Sequence, residues 1–340
     1  MNSSTYGAGK SDASFRAVQR RIAERLPDAQ PATNGQPALE VRQPSLEAPR
    51  VLSSPLLEGH ALRAVRVDGD RTAGFVAFLD GTQESRVLFY YDGLPVVYGT
   101  VAAVVRVRVN RRLTTWARGP RVERRLYAPC AYLPRGVCDL LATGGVEIVD
   151  TTAPTRGAEP PSRHPAALLE RALSSVKEDR ERTEKALAEE WCRLERGPIF
   201  IDGSVRDSDV VATAPCAVGV VKSHRTLYVD GDALRTVLAL KARRRSSVFR
   251  VATSHRTAVA SWYLRLRETA GHDPMWGLVR VEAADLSGRG ERLEDLTARA
   301  DLISRWVLAE ASPLALPDGR WDKMVYGIRD CEEFLRAVAG

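Results

Sequence analysis

Residues 197–205 read GPIFIDGSV, a short apolar strand that follows a Gly-Pro break and ends in Asp-Gly. Upstream, residues 74–81 read GFVAFLDG, a second apolar strand with the same ending. Taken singly, each Asp-Gly is a common turn after a strand. Taken together, the ends of the two buried strands hold the carboxylates of Asp80 and Asp202 rigidly. Such a pair suits Mg²⁺ or Mn²⁺, which prefer oxygen ligands.

The segments around these two strands alternate between strand and helix patterns. Residues 74–80, 86–91 and 96–109 are rich in β-branched and aromatic residues, and the links DGTQES and DGLP have turn chemistry. They predict an antiparallel meander of three strands. A long helix over Pro165–Arg196 follows, with proline in its first turn. Further strands are expected at 144–150, 199–202, 217–222, 247–252, 261–267 and 276–283, and helices at 295–311 and 330–338. The pattern predicts an α/β fold with a mixed sheet flanked by helices.

The first sixty residues have a different character from the rest. Residues 11–26 predict an amphipathic helix with Phe15, Val18 and Ile22 on one side. Residues 27–55 repeat Pro, Gln, Ser and Ala without a period and predict an extended linker. We therefore expect residues 1–60 to form an N-terminal helix and linker used in docking or dimerisation, and residues 61–340 to form the main domain.

A third carboxylate is expected from the long helix. With Leu187 at the centre of its apolar stripe, Glu184 lies about 60° from the centre, at the inner edge. Glu184 is about 18 Å from the helix end and Asp202 is about 13 Å up the returning strand, so both reach similar heights. Glu190 is too close to the helix end. The alternative is a helix-edge Glu184 that only pairs with Arg180, four residues earlier.

The order of these elements resembles that of an RNase H-like nuclease core. Three strands come first, with Asp at the end of the first strand, and a helix carrying Glu and a strand carrying Asp follow. More specifically, the chain resembles the NurA family, the nuclease partners of the HerA translocase. FLDGTQES resembles its first Asp-Gly-Ser motif, with Thr82 in place of Ser, and GPIFIDGSV its second, with Val205 in place of Leu. AVGVVKS resembles the Gly-Val-x-Lys strand that follows, and SWYLRLR a later strand. The likeness covers roughly residues 70–340.

The resemblance implies a metal-dependent nuclease that acts on DNA ends and single strands as a 5′–3′ exonuclease and single-strand endonuclease. It implies two Mn²⁺ (or Mg²⁺) ions, a ring-like homodimer and a HerA-type hexameric ATPase partner in DNA end resection, repair or defence. Asp80 and Asp202 match the metal aspartates and Glu184 the helix glutamate. The family usually ends with a histidine or acid in the last helix. Here VYGIRDCEEF offers Asp330 as a fourth ligand and no histidine.

Several basic residues have both a functional and a structural interpretation. Lys222, at a strand end near the metals, suits a phosphate as a point charge, or is an ordinary edge lysine. The run Lys241–Arg245 either grips a DNA backbone or is a solvated helix end. Arg106, Arg108, Arg111 and Arg112 form a second basic patch. No role is assigned to Trp116, Trp262 and Trp276, since core packing is their commoner fate.

Composition excludes several protein classes. The 340 residues are 44% hydrophobic and carry a net charge of +7, which raises the odds of a nucleic-acid partner. The five cysteines form no C-x-x-C pair, so free thiols are expected. No zincin, α/β-hydrolase or P-loop motif is present. Without a signal-like start or an apolar run of about 20 residues, we expect a cytoplasmic protein with no membrane span.

The leading hypothesis is a two-metal DNA nuclease in which Asp80, Glu184, Asp202 and Asp330 hold the metals and Lys222 supports the phosphate. The alternative is a non-catalytic module of the same fold that binds nucleic acid or docks on a partner. A nuclease acting on RNA would use the same chemistry. Close approach of Asp80 and Asp202 discriminates between catalysis and mere binding, because neighbouring carboxylates repel each other without a cation.

Overall fold

The computed structural model describes residues 8–26, 30–31, 48–153, 162–195, 197–254, 256–269, 271–311 and 325–339. Its strands are β1 Gln30–Pro31, β2 Arg50–Val51, β3 Ala64–Arg66, β4 Ala77–Tyr91, β5 Leu94–Val109, β6 Arg112–Thr115, β7 Arg121–Ala128, β8 Glu147–Asp150, β9 Ile199–Asp202, β10 Ala217–Val221, β11 Thr226–Leu227, β12 Arg244–Ser246, β13 Phe249–Thr253, β14 Arg256–Arg265 and β15 Leu278–Ala284. Its α-helices are α1 Ala8–Ala23, α2 Arg135–Ala142, α3 Pro165–Leu194, α4 Asp209–Ala212, α5 Gly231–Leu238, α6 Leu293–Glu310 and α7 Tyr326–Ala339.

One large mixed sheet organises the described part of the chain. Its central order is β7-β5-β4-β9-β10, in which β4, β5 and β7 are antiparallel neighbours. After α3 the chain returns as β9, parallel to β4, and then as β10, parallel to β9. This strand order and direction are those of an RNase H-like core, so the predicted fold class is confirmed. Strands β15, β14, β12 and β3 extend the sheet beyond β10.

The predicted meander is wrong in one respect: residues 74–80 and 86–91 are not separate strands. Residues 77–91 form the continuous strand β4, and the polar segment DGTQES lies inside it. This segment pairs with the apolar β5, with Gly81 opposite Ala103 and Glu84 opposite Thr100. Local turn chemistry is overridden because β5 supplies a backbone partner along the whole segment. The third strand of the meander is therefore β7.

Helices cover both faces of the sheet. On one face, α6 and α7 bury Val307 and Ile328 against Phe78 and Phe200. On the other, α3 packs Leu187 against Leu79, together with α4 and α5. This alternation follows from the strand period, since neighbouring residues point to opposite faces. None of the helices in the described part of the chain has the length and apolar character needed to cross a bilayer.

The N-terminal helix packs on the same chain. α1 begins and ends three residues before the predicted helix, and its Phe15, Val18 and Ile22 are buried with Leu88 and Tyr98. Of the predicted linker, residues 27–29 and 32–47 lie outside the described residues. Strand β2 pairs in parallel with β11. The division at residue 60 and the docking role of residues 1–60 remain predictions.

The basic run Lys241–Arg245 is partly structural, contrary to a purely solvated or DNA-gripping role. Arg245 is fully buried, and its guanidinium binds Glu58 (Nη1–Oε2 2.6 Å) and Asp301 (Nε–Oδ1 2.6 Å). Glu58 also accepts a hydrogen bond from the Val248 N–H at 2.8 Å. A buried guanidinium needs such partners because desolvation of an unpaired charge is costly. Arg245 therefore ties residue 58 to the sheet and to α6.

Substitution of Glu58 tests this buried ion pair. Glu58→Ala should lower the free energy of unfolding by about 3 kcal/mol, because Arg245 would lose a buried partner. The measurement is equilibrium unfolding in urea. Asp68→Ala is the matched control, since Asp68 pairs with Arg66 at 2.8 Å on the exposed surface and should contribute less than about 1 kcal/mol. Equal effects of the two substitutions would contradict the assignment.

Candidate functional site

Strands β4 and β9 bring two aspartates side by side. Their parallel register pairs Phe78 with Phe200 and Leu79 with Ile201, so Asp80 and Asp202 follow at the same level. β9 ends at Asp202, whereas β4 continues past Asp80 along β5. Asp80 is therefore an interior strand residue, and only 9% of it is exposed. The two aspartates therefore lie next to each other at the place where β9 ends and β4 continues, which we call the step.

Helix α3 adds Glu184 to this step. The carboxylate lies against the backbone of Gly81, where a Cβ atom would come within 2.1 Å of Glu184 Oε1 and 2.7 Å of its Cγ. A side chain at residue 81 would therefore displace the whole glutamate side chain. A glycine next to a strand-end aspartate leaves room for another group to approach the backbone closely. The structure fills that room with the helix carboxylate.

The three carboxylates act on one another electrostatically. Burial raises the pKa of Asp80 well above its ordinary value, and the nearby charges of Asp202 and Glu184 raise it further. Lys222 and the Gly81 N–H oppose this shift. Burial raises the pKa of Glu184 to about 7, against the opposing effect of Arg180, with Glu181 and Asp202 adding to the rise. The site is a partly buried cluster of like charges.

Two basic side chains of the chain itself compensate part of this charge. Lys222 Nζ lies 2.8 Å from Asp202 Oδ2. Arg180 donates from Nη1 to Glu184 Oε1 and from Nε to Gln83 Oε1, the latter at 3.0 Å. In the described residues, no three acidic, histidine or cysteine side chains are already arranged to hold a metal ion. Glu184 thus reaches the strand beside Asp80 and also pairs with Arg180, and its role as a metal ligand remains a prediction.

Asp330 has a different environment. It lies in α7, where its Oδ1 accepts a hydrogen bond from Arg106 Nε at 2.6 Å. Its neighbour Cys331 is fully buried, and burial followed by the charges of Asp80 and Asp330 raises the pKa of that thiol. Asp330 therefore lies near the cluster but is bound to Arg106. Its role as a fourth metal ligand remains a prediction.

A cleft of about 670 Å³ opens beside the carboxylates. One wall is α3 and the other is the segment that follows β9. The lining residues are Leu79, Glu178, Arg180, Glu181, Arg182, Glu184, Lys185, Ala188, Ile201, Asp202, Gly203, Ser204, Val205, Asp207, Ser208, Val211, Val221 and Ser223. Both acids and cations thus face the space next to Asp202. This space can admit an extended polar ligand next to the carboxylates.

Sequence reasoning missed the roles of two residues. Gln83 orients Arg180, but its segment was assigned to a turn, so no signal pointed to it. Arg180 could have been found from its spacing of four residues to Glu184, and it appeared only as the structural alternative. Two arginines of the other predicted basic patch are structural, because Arg106 binds Asp330 and Arg108 binds Glu310 at 2.8 Å, whereas Arg111 and Arg112 are exposed. Trp116 packs on Trp191 in the core.

Comparison with known proteins shows a likeness at the level of structure. No protein-family model matches the chain, and no curated protein matches it. Among solved structures, the chain is similar to the crystal structure of the NurA nuclease from Sulfolobus solfataricus. The two are 10% identical with a TM-score of 0.43, over 96% of this chain and 88% of that chain. Because the identity and the TM-score are both low, any activity of this chain has to be inferred from the carboxylate cluster itself.

The raised pKa of Glu184 predicts a pH-dependent cost to stability. Unfolded Glu184 releases its proton near its ordinary pKa of 4.5, whereas the folded side chain holds it up to a pKa of about 7. The contribution of Glu184 to the free energy of unfolding is therefore fully present below pH 4.5 and is lost as the pH rises towards 7. Over this pH range, the free energy of unfolding of Glu184→Gln should rise by about 3 kcal/mol relative to that of the wild type. Urea unfolding at several pH values measures the difference.

The control for this experiment is the half-exposed Glu178 of the same helix, which pairs with Arg171 at 2.7 Å. Glu178→Gln should keep the wild-type dependence of stability on pH, because its carboxylate retains contact with water. A stability difference between Glu184→Gln and wild type that stays constant with pH would contradict the buried environment of Glu184.

Proposed function

We propose that the chain is a metal-dependent deoxyribonuclease that hydrolyses phosphodiester bonds with Mn²⁺ or Mg²⁺ held by Asp80, Glu184 and Asp202. One observation carries this proposal. Carboxylates from β4, α3 and β9 come together where β9 ends, and two of them, Glu184 and Asp202, line the cleft. After burial, the charges of Asp202 and Glu184 raise the pKa of Asp80 further, and the charge of Asp202 adds to the rise in the pKa of Glu184. Repulsion among these carboxylates destabilises the folded state, and a divalent cation bound by them would offset this repulsion.

The donor set fits such a cation. Carboxylate oxygens are the ligands that Mg²⁺ and Mn²⁺ prefer. The cation would compete with Lys222 for Asp202 Oδ2 and with Arg180 for Glu184 Oε1. When bound, two such ions supply an activated water and stabilise the leaving oxygen of a phosphodiester. Asp330 is the proposed further ligand, and it would have to exchange its bond with Arg106.

The residues of the chain have separate tasks in this proposal. Asp80 and Asp202 are held by adjacent strands, so their spacing is set by the sheet rather than by a loop. Gly81 leaves room for Glu184. Lys222 carries an ammonium group that, once released from Asp202, binds the reacting phosphate as a point charge. Burial of Asp80 limits the access of water and strengthens these electrostatic interactions.

The finer parts of the proposal follow from the resemblance of the motifs to the NurA family. They are activity on DNA ends and single strands in the 5′–3′ direction, a homodimer, and work with a HerA-type hexameric ATPase in end resection, repair or defence in the cytoplasm. The net charge of +7 supports a nucleic-acid substrate.

A second candidate function is a non-catalytic module that binds nucleic acid or docks on a partner. The observation in its favour is that Lys222 and Arg180 already neutralise two of the three carboxylates. In that case the cluster would be a structural ion-pair network, and a divalent cation would have no effect on the chain.

Cleavage of end-labelled DNA separates these functions. Wild-type protein should degrade single-stranded DNA with Mn²⁺, and Asp202→Asn should reduce the rate at least about 100-fold, because the site would lose one of the carboxylates that would hold the metal. Gel analysis of single-stranded and duplex substrates, with and without a HerA-type ATPase, is the measurement. Asp207→Asn is the matched control, since Asp207 lines the same cleft and pairs with Arg256 at 2.9 Å. Equal activity in Asp202→Asn and wild type would contradict the site.

Gly81→Ala tests the approach of Glu184. The methyl group would push the glutamate away from Asp80, so we expect loss of most Mn²⁺-dependent cleavage with a melting temperature within about 5 °C of the wild type. Gly136→Ala is the control, because nothing lies within 4 Å of a Cβ atom at that helical position. Activity of Gly81→Ala at the wild-type level would show that Glu184 need not lie beside Asp80.

A further inference from the structure

Arg180 occupies a position between the carboxylate cluster and the cleft. It lies one helical turn before Glu184 on α3, and it lines the cleft. Its guanidinium makes three contacts: with Glu184, with Gln83 Oε1 at 3.0 Å, and with Glu181 Oε1 at 3.7 Å. About a quarter of the side chain is exposed, so a ligand in the cleft can reach it. Arg180 therefore joins β4 to α3 at the edge of the site.

The partner of Arg180 distinguishes it from the other arginine of this wall. Arg182 also lines the cleft, but it binds Asp179, a buried acid that Tyr127 and Arg125 also bind, each at 2.8 Å. Nothing in the proposed reaction removes Asp179 from these partners. Glu184 is different, because it is one of the carboxylates that a divalent cation would occupy. Metal binding at Glu184 would leave Arg180 without its principal counter-charge.

The remaining bond to Gln83 determines what the released guanidinium can do. Gln83 accepts from Nε, so it holds the base of the planar group while the terminal nitrogen Nη1 loses Glu184 and Nη2 keeps only its 3.7 Å contact with Glu181 Oε1. Two parallel N–H donors in a fixed plane match the oxygens of a phosphate. Glu181 is half-exposed and more distant, so it competes only weakly.

We propose that Arg180 is a substrate-binding residue that exchanges Glu184 for a backbone phosphate of the nucleic acid when a divalent cation takes the Glu184 carboxylate. This proposal rests on the proposed nuclease function. Arg180 would hold a phosphate of the strand on the α3 side of the cleft, while Lys222 holds the reacting phosphate beside Asp202. In the metal-free protein, both phosphate-binding cations would thus be paired with carboxylates, Arg180 with Glu184 and Lys222 with Asp202.

Arg180→Gln should change metal affinity and DNA affinity in opposite directions. Without Arg180, Mn²⁺ no longer competes with a guanidinium for Glu184, so its dissociation constant should fall severalfold, as measured by electron paramagnetic resonance of free Mn²⁺. The KM for single-stranded DNA should rise about tenfold with little change in kcat, because a charge-assisted bond to a non-reacting phosphate is lost. The slope of log affinity against log salt should decrease by about 0.7.

Two further variants make the result specific. Arg180→Lys keeps the charge but not the planar pair of donors, so it should restore the salt slope and only part of the KM. Arg171→Gln removes a cation about 14 Å away along the same helix and should change neither quantity. Binding of fluorescein-labelled oligothymidylate in Ca²⁺, followed by fluorescence anisotropy, gives the same comparison without cleavage.

The outcomes separate this proposal from the proposed function. If wild-type protein cleaves DNA and Arg180→Gln has an unchanged KM and salt slope, the role of Arg180 is wrong and the nuclease function stands. Weaker Mn²⁺ binding in Arg180→Gln would also overturn it, because Arg180 would then support the metal site rather than compete for it. If wild-type protein neither binds Mn²⁺ nor cleaves DNA with a HerA-type ATPase present, the nuclease function and this proposal are both wrong.

Discussion

The constraint on which the site depends is the repulsion among three carboxylates held close together in a partly buried place. Asp80 and Asp202 lie on neighbouring parallel strands, and Glu184 approaches them from the helix above. The fold tolerates this arrangement because Lys222 and Arg180 place opposite charges on two of the acids. Burial and mutual repulsion nevertheless raise the pKa of Asp80 and Glu184, so the compensation is incomplete.

Unequal strand lengths create the space in which this charge collects. β9 ends at Asp202, whereas β4 runs on beside β5 to Tyr91. The step between them is covered by α3, whose 30 residues reach from the β7 edge of the sheet to the start of β9. Because Gly81 has no side chain, the helix carboxylate can descend to the strand at this step. The cleft opens on the same side, next to Asp202.

Other buried charges of the molecule show how a purely structural ion pair differs from this cluster. Asp179 on α3 accepts hydrogen bonds from Tyr127 and Arg125 and also binds Arg182, so its oxygens are fully used. Arg245 is enclosed between two acids in the same manner. In each case opposite charges predominate around one central group. Around Asp80 the acids predominate, and this imbalance favours a cation as the missing component.

The sequence by itself determined the features that depend on local pattern. Ile199–Asp202 was located correctly because a short apolar run lies between Gly-Pro and Asp-Gly, and helical periodicity selected Glu184 among the glutamates of α3. Only the tertiary structure decided that the polar segment after Asp80 continues as a strand, because the backbone partners that β5 supplies along this segment outweigh its local turn chemistry. It also decided that Lys222 pairs with Asp202 and that Gln83 holds Arg180, since contacts between different elements depend on packing that no local spacing encodes.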